Sequence, residues 1–291
     1  MSAAPPRGKL YLVPTPLDFG CEVDAGLGAA LPEQTIAIAA SLTHWVTENA
    51  KSTRAFLKRV GTQQPLAAAL QEQRITELPR EVHKKGDHNA GGGFDAKPLL
   101  AAALQGQDIG LVSEAGMPAI ADPGSSVVRA AHALGIEVVP LVGPISLMLA
   151  LAASGLNGQN FAFVGYLPAD ATGRAQRIRE LEALAQKTGQ TQLFIETPYR
   201  NAALLQGLLQ TLKGTSRLAV CCGITLPQQR VQSGLVADWK QRVATLPLEL
   251  PAVFLIGALH GPRERAGRAT YGVLAFIAAA VGIGIAGRHV Y

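Results

Sequence analysis

Cysteine is nearly missing from this 291-residue chain: Cys21, Cys221 and Cys222 are the three, two of them adjacent, and no C-x-x-C spacing occurs. That argues against a disulfide framework and a thiolate zinc site, so no metal is expected and a reducing compartment, the cytoplasm, is. Aromatic residues are scarce at 5%, and charged residues make up 16% against 48% hydrophobic. So little charge excludes a disordered chain and leaves a compact α/β protein long enough for two domains. Met1 to Lys9 hold no apolar signal core, so export is not expected. The charge that is present leans positive, a net +5. That suits an anionic partner such as RNA, and equally a plain solubility surplus.

What the chain does have is a strand, turn, helix, strand, turn unit over residues 109–146. Ile109-Gly-Leu-Val112 is an apolar run suited to a parallel strand buried on both faces, and it stops at Ser113-Glu-Ala-Gly-Met-Pro118. Asp122 then offers an oxygen to cap a helix, and Pro123 suits its first position. Val127, Val128, Ala131 and Leu134 recur at helical spacing up to Gly135, where a helix would stop. A second strand is expected over 136–142, running into Gly143-Pro144-Ile145-Ser146. Two small-residue bends at strand carboxyl ends outline a ligand crevice, with main-chain groups expected to do the binding. Neither bend is the G-x-G-x-x-G or G-x-x-x-x-G-K-[ST] of the common nucleotide sites.

Upstream, Leu10 to Val13 reads as the first strand, ended by Pro14-Thr15-Pro16. A helix over 33–42 and a strand over 44–47 lead to Glu48-Asn49, with Asn49 as cap of the next helix. That helix carries Lys51, Arg54 and Lys58 on one side and Phe56, Leu57 and Val60 on another. The cations fit either a phosphate-facing stripe or a solvated helix face. Residues 71–94 show no period, and His83 and His88 read as loop bystanders. A helix over 97–104 returns the chain to the central strand.

Downstream, a second α/β region is expected, with strands over 161–166, 193–196, 218–224 and 252–259 and helices over 174–187 and 236–243. Thr197-Pro198 reads as a cap and first-turn proline. Arg200 follows in the first turn, where the helix dipole disfavours a cation, as either a salt-bridge partner or a ligand contact. Residues 270–287 are uncharged and rich in Ala, Gly and Ile. They admit three readings: an appended segment without a role in the fold, a helix packed on the protein or a partner, or a membrane anchor, the last being least expected.

Leu10-Tyr-Leu-Val-Pro-Thr-Pro16, Glu48-Asn49 before Thr53-Arg54, Ser113 to Pro118, Ala121-Asp-Pro-Gly124, Gly143-Pro144 with Ser146, and Glu196-Thr-Pro-Tyr-Arg200 follow one another in an order and spacing that resembles the tetrapyrrole methylase superfamily, the class III S-adenosylmethionine-dependent methyltransferases. The likeness spans Lys9 to Leu259. It is greatest to the branch that methylates a cytidine ribose 2′-hydroxyl in ribosomal RNA of the small subunit. The resemblance implies two α/β domains, here 9–143 and 144–260 with 261–291 as a tail, a cleft between them for S-adenosylmethionine, and a homodimer. It also implies that Thr15, Pro16, Ser113, Glu114, Ala115, Gly116, Pro118, Gly143, Pro144 and Ser146 line the cofactor site. Glu196 to Arg200 would lie on the second domain's side.

Two departures stand out. Where that branch has an acidic pair followed by Thr-Arg, this chain has Glu48-Asn49-Ala50-Lys51, and the first loop reads Pro16-Leu17-Asp18 without the usual Gly-Asn. Lysine cannot reproduce arginine's two-pronged grip on phosphate. Methyl transfer from a sulfonium needs chiefly alignment and exclusion of water, but a ribose hydroxyl also needs a proton acceptor. Glu48 is the candidate, unless it serves only to pair Lys51 or Arg54. Lys51, Arg54, Lys58 and Arg200 are the candidate phosphate contacts. Methylation of a tetrapyrrole or other small molecule, and an RNA-associated cofactor binder without turnover, remain open at this stage.

Overall fold

The structure is a computed structural model that describes residues 6–18, 26–79, 94–239, 241 and 245–258. Strands β1 (Leu10–Val13), β2 (His44–Thr47), β3 (Arg74–Glu77), β4 (Ile109–Val112) and β5 (Val138–Pro140) form one sheet in the order β3-β2-β4-β1-β5. Each pairing is parallel. Alternating side chains leave the sheet on opposite faces, and both faces are apolar. Leu10, Ile109 and Leu111 face Leu100, Ala103, Val127 and Ala131, while Val13 and Val112 face Ile36, Trp45, Phe56 and Leu57. The first set lies under helices α3 (Ala101–Leu104) and α4 (Ser125–Ala133). The second lies under α1 (Glu33–Ser41) and α2 (Ala50–Gly61).

The second sheet holds β6 (Phe161–Tyr166), β7 (Thr191–Glu196), β8 (Arg217–Cys222), β9 (Arg230–Leu235) and β10 (Ala252–Gly257) in the order β6-β7-β10-β8-β9. It is mixed: β6 and β7 are parallel, and the other pairings are antiparallel. Helix α5 (Ser146–Ser154) packs on one face through Leu147, Ala150 and Leu151, meeting Leu193, Ala219 and Leu255. Helices α6 (Ala171–Thr188) and α7 (Asn201–Thr211) cover the other through Ile178, Leu181, Leu204 and Leu208. Leu17, from the loop after β1, is buried in the α5-side cluster, so the first loop reaches into the second sheet's core.

Several expectations need correction. The strand read over 136–142 is hydrogen-bonded only at Val138–Pro140, the flanking residues being loop. The helix read over 236–243 is described as α8 (Val236–Trp239), and β9 before it was not read at all. Asp122 does not take the cap position: α4 begins at Ser125, and Gly124 occupies that position at φ 138°. Asn49, by contrast, caps α2 as expected, accepting from the amides of Lys51 and Ser52. Cys21, His83, His88 and the tail from residue 259 lie outside the described residues. Among those described, no helix is long and apolar enough to cross a membrane.

Gly110 in β4 lies against the ring of Trp45, and a Cβ there would stand 2.5 Å from its Cε3 and Cζ3 atoms. Trp45 is 1% exposed and has nowhere to retreat. Gly110→Ala is therefore expected to destabilise the fold by about 1–3 kcal/mol through overpacking. Urea unfolding followed by tryptophan fluorescence should show a lower midpoint with an unchanged slope.

Candidate active site

The carboxyl ends of β1 and β4 are joined just beyond the sheet. The Thr15 amide donates to the Gly116 carbonyl at 3.0 Å, and the Gly116 amide returns the bond to the Thr15 carbonyl at 3.1 Å. The third bend closes on the same place. A Cβ at Gly143 would stand 2.2 Å from Pro14 Cγ, and one at Gly116 would meet the Pro144 carbonyl at 3.5 Å. The loops at 14–17, 113–118 and 143–146 are thus one assembly. At Thr15 and Gly116 the main-chain groups join the bends to each other, where main-chain binding of a ligand had been expected.

Against this assembly lies a cavity of about 290 Å³ between the two sheets. The first domain contributes Glu48 and the turn from Glu114 to Asp122; the second contributes Ile145–Leu147, Tyr166 and Ile195–Pro198. Leu17, Met117, Ile120, Ile145, Ile195, Ile224 and Val253 make much of the wall apolar, and Glu48, Glu114, Asp122 and Glu196 make the rest acidic. No lysine or arginine is among the lining residues that are described.

The turn that brings Asp122 here is conformationally unusual. Gly116, Ala119, Ala121 and Gly124 have φ of 80°, 65°, 64° and 138°. Two alanines in left-handed conformation within three residues is a local cost that cores seldom carry without reason. Burial, then the charges of Glu48 and Glu114, push the Asp122 carboxyl up to about 7, with the Ser113 hydroxyl opposing. Tyr166, at the mouth, has its phenol raised by partial burial and by the charges of Asp122 and Glu196.

Glu196 ends β7 with its side chain 1% exposed. Its Oε1 accepts from Arg200 Nη2 at 2.8 Å, from the Thr197 amide at 2.7 Å and from Thr197 Oγ1 at 3.2 Å. Its Oε2 is buried without a hydrogen-bond partner among the described residues. The cap and proline read at Thr197-Pro198 open a 3-10 turn, Pro198–Arg200, in which Thr197 caps nothing and donates to Glu196 instead. Of the two roles weighed for Arg200, the structure shows the salt bridge.

The residues singled out in the sequence divide among three adjoining hollows. Glu48, Glu114, Ala115, Gly116 and Ser146 line the interdomain cavity. Thr15, Pro16, Lys51 and Ser113 line a neighbouring hollow that shares Glu114 and Ala115. Gly143 and Pro144 line a third, with Pro16 and Leu17. Pro118 faces a separate depression beside β5 and α4. Arg54 and Lys58 are exposed on α2. The start of α2 is no anion site, since Glu77 accepts from the Ala50 amide, Asn49 Oδ1 from Lys51 and Ser52, and the Asn49 carbonyl from Thr53. Asn49 also donates to Glu114 at 2.7 Å, which an aspartate there could not do. Asp122, Tyr166 and the unpartnered oxygen of Glu196 were missed as site groups, the first because Asp-Pro ahead of a helix reads as a cap.

Two α/β halves with an acidic and apolar cavity between them, walled by bends from three strand ends, define a two-part α/β protein with a ligand-sized cleft. Residues 43–239 match the tetrapyrrole (corrin/porphyrin) methylases. The chain belongs to this family and is a methyltransferase. It is 30% identical to the ribosomal RNA small subunit methyltransferase I of Pseudomonas aeruginosa over 82% of this chain and 74% of that one. To the protein of the same name from Mesorhizobium japonicum it is 35% identical, over 80% and 69%. Among solved structures it is similar to a uroporphyrin-III-C-methyltransferase from Thermus thermophilus, with 20% identity, a TM-score of 0.47, and 87% and 96% of the two chains covered.

The folded chain holds the Asp122 proton up to about 7, whereas an unfolded chain releases it near the ordinary carboxylate value. The unfolded state therefore binds fewer protons across that window, and this group's contribution to stability falls as pH rises, levelling off above about 7. Asp122→Asn lacks the effect. Its melting temperature relative to the unaltered protein should gain at least about 3 °C between pH 4 and pH 8 by scanning calorimetry.

Proposed function

We propose that this chain transfers a methyl group from S-adenosylmethionine to a ribose 2′-hydroxyl in RNA of the small ribosomal subunit. The cytoplasm and a homodimer accompany this reading on the family resemblance. The observation that carries it is the interdomain cavity, apolar on one side and acidic on the other, set against the joined bends. The residues present fit the donor. A flat adenine suits Ile145, Ile195, Ile224 and Val253, a cationic sulfur suits a wall whose described residues include four carboxylates and no lysine or arginine, and Glu196 Oε2, unpartnered among the described residues, calls for a hydrogen-bond donor.

When bound, S-adenosylmethionine supplies a methyl group activated by its sulfonium. The chain's part is to hold and orient. Ala115, Gly116 and Ser146 would border the donor, while Pro16, Gly143 and Pro144 set the bends from behind. A ribose hydroxyl entering past Tyr166 meets two carboxylates that qualify as proton acceptors, Glu48 and Asp122. The RNA relatives support ribosomal RNA as acceptor, and Lys51, Arg54 and Lys58, exposed along α2, are the side chains placed to meet its phosphates.

Incubation with radiolabelled S-adenosylmethionine and small ribosomal subunits lacking the modification should place label in RNA, recovered as a 2′-O-methyl nucleoside after nuclease digestion. Label taken up only by an RNA-free small-molecule fraction would overturn the RNA reading. Replacing Lys51, Arg54 and Lys58 together by alanine should weaken RNA binding and flatten its logarithmic salt dependence by about two units, at roughly 0.7 per single-strand phosphate contact.

A further inference from the structure

Resting on the methyl transfer just described, we infer that Asp122 is the group that takes the acceptor hydroxyl's proton, and that Glu48 is a positioning residue whose charge tunes it. Three observations converge on Asp122. It lines the interdomain cavity, half-buried, on the wall facing Tyr166 and Glu196. Its backbone is delivered there by a turn in which Ala119 and Ala121, one on each side, both adopt left-handed φ. Among the described residues only one other non-glycine residue, Thr225, does so. Asp122-Pro123, a pair suited to opening a helix, stands ahead of α4 instead, with Gly124 at the cap position.

The charged and titratable groups around it come from every neighbouring element. They are Glu48 from the loop after β2, Glu114 from its own turn, Tyr166 from the end of β6, and Glu196 with Arg200 from the end of β7. Arg200 is already engaged by Glu196, and among the described residues no cation acts on Asp122. An ordinary carboxylate accepts a proton poorly near neutral pH. One whose affinity for it is raised to about 7 is matched to the task.

In the step itself the hydroxyl oxygen forms its bond to the methyl carbon. The carbon–sulfur bond breaks with its electron pair going to sulfur, and the hydroxyl proton passes to a carboxylate oxygen of Asp122. The positive charge on sulfur and the negative charge on Asp122 disappear together, so the step leaves the cavity's net charge unchanged.

Single-turnover methylation of subunit RNA at saturating donor, measured from pH 5 to 9, tests the assignment. The unaltered protein should lose rate on the acid side, with a midpoint below the value of about 7 held by the donor-free carboxyl, because the donor's positive charge lowers it. Asp122→Asn should lose about 10²–10⁴-fold in rate and the acid limb with it. It should nevertheless bind S-adenosylmethionine within threefold of normal by calorimetry and melt cooperatively. Glu48→Gln should keep the limb but move it to lower pH, because a neighbouring negative charge is gone. Infrared difference spectra should show a protonated carboxyl band at pH 6 that Asp122→Asn lacks. An Asp122→Asn protein that retains the rate within fivefold, or a Glu48→Gln protein that alone loses the limb, would overturn the assignment in favour of Glu48. If the unaltered protein labels a small molecule instead of RNA, the RNA reading falls, and the same comparison on that acceptor decides the role of Asp122.

Discussion

Two main-chain hydrogen bonds between Thr15 and Gly116 hold the working face together. They are possible because β1 and β4 are neighbours in a parallel sheet, so both loops leave the same edge in the same direction. The chain reaches that arrangement by going out to β2 and β3, returning to β4, and then crossing β1 to β5. Open parallel sheets leave a crevice at such a reversal. Gly143 then lies so close to Pro14 that no Cβ fits, which locks the third bend onto the first. One loop ties the halves as well: Leu17 is buried in the second sheet's core, and its carbonyl accepts from Thr225 Oγ1 at 3.2 Å. Loosening the pair at Thr15 would therefore disturb both the bends and the seating of the two sheets.

The turn from Gly116 to Gly124 shows local preference yielding to the site. Each left-handed alanine costs about 1–2 kcal/mol. Alanine is the compromise where backbone twist is needed without bulk: its single methyl tolerates the conformation better than a branched side chain would. What the strain obtains is the direction of one side chain. A regular strand–helix junction would have put the Asp122 carboxylate over the first amides of α4, with its charge spent on the helix dipole. The observed turn puts it into the cavity among three other acids, where its own ionisation is disfavoured.

How much of this was legible follows from how each segment is buried. β4 and β10 are buried along their whole length and read plainly as apolar runs. β3 and β9 are edge strands with mostly exposed or half-buried side chains, Arg-Ile-Thr-Glu and Arg-Val-Gln-Ser-Gly-Leu, and their pairing depends on neighbours that no local period announces. The bends could be found because proline and glycine punctuate strand ends. Their meeting could not, since it depends on strand order. Asn49 was read correctly because a cap is a local event. Asp122 carries the same local signature, yet tertiary context overrides it. The Glu48 to Lys51 departure is likewise settled by neighbours, because Asn49 serves two partners, the α2 amides and Glu114, that an aspartate could not serve together.

The distribution of charge follows from the two things the proposed reaction must hold. The chain carries a net +5, yet the described residues that line the cavity include four acids and no lysine or arginine. A polyanion is attracted to the exterior and repelled from the interior, so the acceptor's phosphates stay on the surface while an uncharged hydroxyl can enter. A sulfonium is drawn the other way. Four carboxylates in one small cavity cannot all be ionised without cost, since each like charge raises the proton affinity of its neighbours. The burden falls on Asp122, whose carboxyl is shifted to near neutrality. A positive charge arriving beside it lowers that affinity and frees the carboxylate, so the same charge that carries the methyl group also prepares the base that the transfer needs.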